Sequence, residues 1–285
     1  MPYLDVDGSL VERFKGVLNS PAPAGRQKEQ VVQDFLEEHT ELIPTPNLLN
    51  HHLQLEAVVS KFQLSTALIT DYVYLTKSSG RWLVTFVELE SPDKPIFTSN
   101  LKKAVPSAPF TEALAQVVSW KTYVNNHKNE VIDRLKLLFV PPVMRRNPVS
   151  FEYYLIIGRS ENKNKHVDRL EYLEELRNNQ NIHVMSYDSL LNEYATTSRY
   201  RKNVMRFSGN QLVYKRMLPR LPHILAHLGP ADLLFTSDQE QSLIKAGYDI
   251  DEWKKGKPLI VNGMYAKDSE EPFNLSATIA KNTES

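Results

Sequence analysis

The chain has 285 residues, of which 41% are hydrophobic and 24% are charged, a composition typical of a globular protein with one large or two small domains. It contains no cysteine, so disulfides, thiolate zinc sites and cysteine catalysis are excluded. The 34 basic and 34 acidic residues cancel, whereas a nucleic-acid-binding protein usually has a basic excess. Any nucleic-acid surface on this protein must therefore concentrate its positive charge on one face.

Neither a membrane segment nor a targeting segment is expected from the sequence. No apolar run reaches the ~18 residues that a transmembrane helix needs. The first residues, MPYLDVDGSLVERF, are acidic and lack the basic and apolar regions of a signal peptide. Together with the absence of cysteine, this pattern predicts a cytoplasmic protein.

The first third of the chain predicts two helices followed by three strands. The helix at 9–19 is amphipathic and precedes a turn-prone PAPAG segment, and a second helix at 27–42 has an acidic end. Apolar and β-branched residues then predict three strands, at 54–60, 67–76 and 81–90. Lys77-Ser78-Ser79-Gly80 has the composition of a hairpin turn, so the last two strands should pair. The loop at 91–107 is long, and long loops often carry function.

The middle of the chain predicts a crossover unit. A helix begins near Pro109, because proline is favoured in the first turn of a helix, and a shorter helix covers about 129–138. The later elements are a buried strand at 151–158, a helix at 163–179, a strand at 181–187 and a helix at 188–194. Strand, helix and strand in this order form a crossover with a parallel pair. We divide the chain into an N-terminal helical segment (1–28), an α/β domain (29–200) and a C-terminal extension (201–285).

Three acidic residues lie around the predicted hairpin. Asp71 begins one strand, and Glu88 and Glu90 end the next, where the alternation of side chains puts both glutamates on the side of Val84 and Phe86. Carboxylates on an apolar strand face are costly to bury unless a positive group lies between them. Oxygen ligands suit Mg²⁺ or Mn²⁺, which activate water for phosphodiester hydrolysis. The alternative is a set of solvated strand ends, and spacing alone leaves both interpretations open.

Five segments also resemble, in order, the Shedu-type nuclease domain of the PD-(D/E)XK superfamily. They are SKFQLSTALITDYVYL, WLVTFVELESPDKPIF, ALAQVVSWKTY, YYLIIGR and IHVMSYDSLL, and the resemblance covers roughly 29–195. It implies a restriction-endonuclease-like mixed sheet flanked by helices. It also implies a DNA endonuclease of bacterial anti-phage defence that uses Mg²⁺ or Mn²⁺ and assembles as a homo-oligomer.

The resemblance assigns roles to the acidic residues. In the family pattern an Asp on one strand and E-x-K on the next form the site, so Asp71 and Glu88 match, whereas Glu90 stands where lysine is usual. Glu90 is then an extra metal ligand or general base, or else the site is inactive. Inactivity would leave a nucleic-acid-binding or oligomerisation module of the same fold. Three lysines are candidates for the missing positive charge: Lys61, Lys94 and Lys121.

Two further polar residues are candidates for the same site by resemblance. Gln116, on the helix after the hairpin, corresponds to a family glutamine that reaches the metal site or the DNA backbone, and its alternative is a solvated helix residue. Glu38 is the preferred acid of the first core helix to complete the metal shell, and its alternative is likewise a solvated helix face. Trp120 and Tyr123 share a helix face with Gln116 and are expected to pack in the core.

Basic residues elsewhere are candidates for contacts with DNA. Arg159 resembles the arginine of the family's IIGR strand and is either a structural ion-pair partner or a phosphate contact. Arg145 and Arg146, with Lys94 and Lys121, are further candidates for phosphate contacts. The tandem histidines His51 and His52 lack a third ligand at suitable spacing, so we reject a zinc site there.

Overall fold

The computed structural model describes residues 4–100, 102–197, 199–221 and 223–259. The strands in these ranges are β1 (Ala57–Gln63), β2 (Ile69–Lys77), β3 (Trp82–Leu89), β4 (Val149–Ile156), β5 (Ile182–Met185), β6 (Asn203–Ser208), β7 (Gln211–Arg216) and β8 (Leu233–Leu234). The α-helices are α1 (Gly8–Asn19), α2 (Lys28–Glu38), α3 (Ala108–Asn126), α4 (Lys128–Arg134), α5 (Ser160–Lys163), α6 (Val167–Gln180), α7 (Tyr187–Thr196), α8 (Ile224–His227), α9 (Ser237–Lys245) and α10 (Ile250–Lys254).

The strands of the described ranges form one mixed sheet in the order β5-β4-β3-β2-β1-β6-β7-β8. Strands β1, β2 and β3 are antiparallel neighbours, as the predicted hairpin requires. Strand β4 runs parallel to β3, and β5 runs parallel to β4 after the crossover through α6. The prediction of an α/β fold with a mixed sheet flanked by helices is confirmed, and this architecture is compatible with a restriction-endonuclease-like fold.

Helices cover both faces of the sheet. On one face α3 covers the sheet and contacts β4, and the buried cluster there includes Phe110, Val117, Trp120, Val84 and Phe86. On the other face α1, α2 and α7 pack around Phe14, Leu36, Leu190, Tyr72 and Tyr74. The prediction that Trp120 lies in the core is confirmed, since its side chain is fully buried. The acidic hairpin is therefore central in both directions, between the two helical layers and within the sheet.

Two predicted boundaries differ from the structure for local reasons. Gln54–Glu56 form a 3₁₀ turn rather than the start of β1, because Leu55 and Glu56 adopt φ values of +55° and +51°. A strand requires negative φ, so pairing begins only at Ala57. The helix predicted at 163–179 is divided, and its main part begins at Val167.

The region after residue 201 adds three strands to the same sheet. Strand β6 pairs in parallel with β1, on the side of β1 away from β2, and β7 and β8 follow outward. The domain boundaries at 28 and 200 stay a prediction. In the described part of the chain, no helix combines the length and the apolar composition needed to cross a bilayer.

Candidate active site

Asp71 and Glu88 face each other across two neighbouring strands. Tyr72 pairs with Val87, so one further step of the antiparallel register brings Asp71 opposite Glu88. Both side chains are more than 90% buried, and both lie on the sheet face that α3 covers. A directly opposed pair on one face has Cβ atoms only about 5 Å apart. The predicted convergence of these two carboxylates is therefore present in the fold.

Hydrogen bonds hold each of the two carboxylates in place. The backbone N–H of Leu89 donates to Oδ2 of Asp71 over 2.7 Å, and the ammonium of Lys61 forms an ion pair with Oδ1. Nε2 of Gln116, one helical layer away on α3, donates to Oε1 of Glu88 over 2.5 Å. Gln116 thus reaches the acidic pair, although its functional role stays a proposal.

Electrostatics at Glu88 show a shortage of positive charge. Burial raises the pKa of Glu88 well above its usual range, and the neighbouring charges of Asp71 and Glu90 raise it further. Lys61 acts in the opposite direction, while a hydrogen bond with Asp71 favours the protonated form. Two buried carboxyl groups in contact cannot both ionise cheaply, so a proton occupies the position where a cation would be favourable.

Glu90 lies beside this pair but is neutralised by its own partner. Its carboxylate forms an ion pair with Lys94, four residues further along the chain. Partial desolvation lowers the pKa of Lys94. The hydrogen bond and the charge of Glu90 raise it, with smaller contributions from Glu29 and Glu112, and the net shift is upward. The backbone carbonyl of Glu90 accepts a hydrogen bond from the buried Tyr187 hydroxyl over 2.7 Å.

The loop that carries Lys94 passes close to the end of β4. Gly158 has a φ of +65°, and a Cβ atom at this position would lie 2.5 Å from the carbonyl oxygen of Lys94. The amide of Gly158 also donates to the carbonyl of Ser91 over 3.3 Å. A glycine is therefore required here on two grounds, the left-handed backbone and the close approach of the loop.

Lys61 lies beside the acidic pair and has an unusual backbone conformation. Its φ of +52° lies in the left-handed region, which non-glycine residues rarely occupy. Ala57 and Val59 face the α3 layer, and so does Phe62, so the two-residue alternation of β1 shifts by one position at Lys61. Ser60 pairs with Tyr72 and Phe62 with Thr70, so Lys61 stands opposite Asp71 in the β1–β2 register, and this pairing brings its ammonium to the carboxylate. Positive-φ residues of this kind concentrate at functional sites.

The donor set suits a hard divalent cation, although it is not a complete cage. Among the described residues no group of three or more His, Asp or Glu side chains is arranged to hold a metal. Asp71 and Glu88 converge, whereas Glu90 is turned to Lys94. Mg²⁺ keeps several water ligands and is commonly bound through one or two carboxylates. The two opposed carboxylates therefore fit Mg²⁺ or Mn²⁺.

The first core helix presents a different glutamate from the predicted one. Glu38 is exposed on α2, which corrects the choice of this residue as a metal ligand, whereas Glu37 is buried. Glu37 accepts a hydrogen bond from the Ser60 hydroxyl over 3.0 Å and forms an ion pair with Lys215 on β7. Its surroundings lie on the face that α2 covers, away from the Asp71–Glu88 pair. Helical spacing favours Glu38 if Phe35, three residues earlier, faces the core. Phe35 is only half-buried, and Glu37 takes the buried position instead.

Arg159 is held by structural partners. Its guanidinium forms a forked interaction with Asp188, with nitrogen–oxygen distances of 2.8 and 3.1 Å, and also donates to Oδ1 of Asn19 over 2.6 Å. The bond to Asp188 raises the pKa of Arg159. Of the two interpretations left open by the sequence, the structure shows the structural ion pair.

The remaining basic candidates do not join the carboxylates. Arg145 donates to the carbonyls of Phe139 and Lys136, and with Arg146 it precedes β4 at the end of the sheet where β3 begins. Six residues of strand, or ~20 Å, separate that end from Glu88. Lys121 is half-buried on α3, and its ammonium is not among the cations paired with these acids in the described chain.

Near the acids, Tyr187 was not identified from the sequence, and Lys61 was named without being preferred over the other candidate lysines. Tyr187 had no distinctive signal, because a tyrosine before a short helix is ordinary. Lys61 was one of three candidate lysines, and its ion pair with Asp71 separates it from the other two.

Comparison with known proteins identifies the core of the chain. A family model described as Shedu protein SduA, C-terminal, matches residues 26–191, which is more than half of the chain. The matched range includes both carboxylates, Gln116 and the crossover unit. No curated protein matches the chain.

Proposed function

The chain belongs to the family described as Shedu protein SduA, C-terminal, and on this basis we propose that it is a metal-dependent DNA endonuclease that acts in anti-phage defence. The observation that carries the proposal is the buried pair Asp71 and Glu88, which lie opposite each other on neighbouring strands, with the pKa of Glu88 raised by burial and by the charge of Asp71. A purely structural pair of opposed acids inside a sheet would be destabilising, so a function that uses them is favoured.

Asp71 and Glu88 would hold Mg²⁺ or Mn²⁺ through their oxygens. When bound, the ion supplies charge neutralisation at a phosphate and lowers the pKa of a coordinated water. Leu89 and Gln116 keep the two carboxylates in position by hydrogen bonds that do not depend on the ion. Gln116 acts in this scheme as a positioning residue.

Lys61 is the best candidate for the positive charge that the family's lysine supplies. It is half-exposed and paired with Asp71, and it is the lysine whose charge lowers the pKa of Glu88. Lys94 is a weaker candidate, because Glu90 neutralises it and further acids lie nearby. We assign Lys61 to contact the substrate phosphate and the Glu90–Lys94 pair to shape the neighbouring loop.

A plasmid-nicking assay with Mg²⁺ or Mn²⁺ tests the proposal. The wild-type protein should nick or linearise DNA, and Glu88→Gln should abolish the activity while the protein remains folded. Glu193→Gln is the matched control, since Glu193 is also a partly buried carboxyl with a raised pKa but lies on α7 away from the site. Equal activity in wild type and Glu88→Gln would refute the proposal that this protein is a nuclease. Salt-dependent DNA binding without cleavage would favour a non-catalytic module instead.

Assembly and location belong to the same proposal. By resemblance we expect a homo-oligomer in the cytoplasm with DNA as its substrate. Light scattering on the purified full chain, with and without DNA, measures the assembly state directly.

A further inference from the structure

A second concave site lies at the end of the sheet opposite the carboxylates. The cavity has a volume of about 400 Å³, and it opens beside the last residue of β2. Its polar lining includes His51, His52, His223, His227, Lys77 and Tyr200. We refer to it as the histidine cavity.

Five separate stretches of the chain line the histidine cavity, and hydrogen bonds between them hold its walls. The N–H of His51 donates to the carbonyl of Lys77 over 3.1 Å. The ammonium of Lys77 and the amide of Gln54 both donate to the carbonyl of Val140, each over 2.7 Å. His223 and His227 come from the region around α8, beyond the residues that the family model matches. The cavity is thus a feature of this chain and not of the matched core alone.

Backbone conformation marks the same cavity. Four of its lining residues have left-handed φ values: His52 at +54°, Leu55 at +55°, Glu56 at +51° and His223 at +71°. Non-glycine residues rarely adopt this region, and for a bulky side chain such as leucine it is strained. Such residues persist where the surrounding structure over-determines them, and they cluster at ligand sites.

The lining mixes hydrogen-bond donors with acceptors. Lys77 brings an ammonium, which also donates to the carbonyl of Val140, and each neutral imidazole can present one N–H and one acceptor nitrogen, alongside the carboxylate of Glu56. Burial, with the charges of Lys77 and His223, lowers the pKa of His227 to about 4, so this ring lines the cavity in its neutral form. Leu53, Leu55 and Val140 add apolar wall. In the ranges that the structure describes, the histidines are not arranged as a metal site.

We propose that the histidine cavity binds a phosphorylated small molecule of about mononucleotide size. Lys77 and imidazoles from separate segments line the cavity, and a phosphate offers three oxygens to such donors where a carboxylate offers two. The volume lies within the ~300–1,000 Å³ of small-molecule sites, which leaves room for a ring beside Tyr200 and the apolar wall. Because its walls come from both the matched core and the C-terminal strands and helices, the occupant would bridge these two regions. The proposal is independent of the nuclease function.

Calorimetric titration of the full chain without divalent metal tests this site. The probes are adenosine monophosphate, inorganic phosphate and adenosine. Adenosine monophosphate should bind one per chain, inorganic phosphate should bind more weakly at the same site, and adenosine should not bind detectably. The double variant His52→Asn/His223→Asn should weaken binding of adenosine monophosphate at least ~10-fold, because two imidazoles are replaced by shorter amides that cannot become positively charged. Asparagine tolerates the left-handed backbone, so the fold should be retained.

His166→Asn is the matched control, since His166 is exposed near α6 and away from the cavity, and it should bind as wild type does. Should the double variant fail to fold, His51→Gln is titrated in its place, because His51 is exposed and has no left-handed backbone. The proposal is overturned by adenosine binding as tightly as adenosine monophosphate. It is overturned equally by the absence of nucleotide binding at ~10 mM or by unchanged affinity in the cavity variants. The titration is repeated with Asp71→Asn, which should still bind adenosine monophosphate. This outcome separates the cavity proposal from the nuclease proposal.

Discussion

The backbone N–H of Leu89 donates to the side chain of Asp71 over 2.7 Å, from the strand next to it. One oxygen of Asp71 is thereby oriented by a main-chain group, and Glu88, the neighbour of Leu89, is oriented by Gln116. The acidic pair is therefore preorganised by bonds from a strand and a helix. Sites held on rigid elements in this way keep their geometry when a ligand is absent.

Asp71→Asn should separate charge from structure. The amide oxygen of asparagine can still accept from Leu89, while the negative charge is lost. We expect nicking to fall at least ~100-fold, since even residues outside a metal's own ligands often cost 10–100-fold. The melting temperature should change little, because the bond from Leu89 is kept and the ion pair lost with the half-exposed Lys61 contributes little. A variant that melts well below wild type would show that Asp71 is chiefly structural.

Lys61→Asn should identify the lysine that serves the site. Asparagine accepts the φ of +52°, so the substitution removes the ammonium with little backbone strain. If Lys61 contacts the phosphate, nicking should fall by about 100-fold, as for loss of one charge-stabilising donor. Lys94→Met is the comparison and should reduce nicking less. If single-turnover rates fall further in Lys94→Met than in Lys61→Asn, Lys94 rather than Lys61 contacts the phosphate.

The raised pKa of Glu88 predicts a pH-dependent stability of the metal-free protein. Above pH ~4.5 the unfolded chain releases this proton while the folded protein retains it, so the free energy of unfolding falls as pH rises. The contribution of one group is at most about 1.4 kcal/mol per pH unit. Denaturant titrations between pH 5 and pH 8 should show this slope in wild type and a flatter one in Glu88→Gln. Mg²⁺ should stabilise wild type more at the upper end of that range, because binding favours the ionised carboxylate.

Gly158→Ala tests how the loop of Lys94 is held. The new Cβ meets the Lys94 carbonyl oxygen at 2.5 Å in a left-handed backbone. Gly209→Ala is the matched control, since Gly209 has a similar φ of +61° and nothing within 4 Å. The control should lose about 1 kcal/mol of folding stability, for the backbone conformation alone. Gly158→Ala should lose more stability than the control and should also reduce nicking. Equal losses of stability in thermal melts would contradict the close approach of the Lys94 carbonyl to Gly158.

The hairpin and its acids were predictable because strand periodicity is simple. Side chains alternate with a period of two, so the positions of Asp71 and Glu88 followed once the turn at Lys77–Gly80 had fixed the pairing. The crossover from β4 to β5 was likewise predictable from the order of strand, helix and strand. These elements depend on local sequence, which is why their assignment agrees with the structure.

Features that depend on distant segments were not predictable. The phase shift at Lys61 arises from a backbone dihedral that no residue type at that position signals. The partner of Arg159 is Asp188, 29 residues away, and the choice between a structural and a functional arginine depends on that contact. Glu37 and Glu38 differ by one helical step, and only the packing of α2 on the sheet decides which one is buried. The metal itself stays a proposal.

The parallel pairing of β6 with β1 has a consequence for any shortened form of the protein. A polypeptide ending near the last residue of the family match would retain the acidic hairpin but leave β1 without its outer neighbour. β1 would then be an edge strand, and its unpaired main-chain amides and carbonyls could pair with a strand of another molecule. The later residues thus shield the strand that carries Lys61 from self-association, whatever else they contribute.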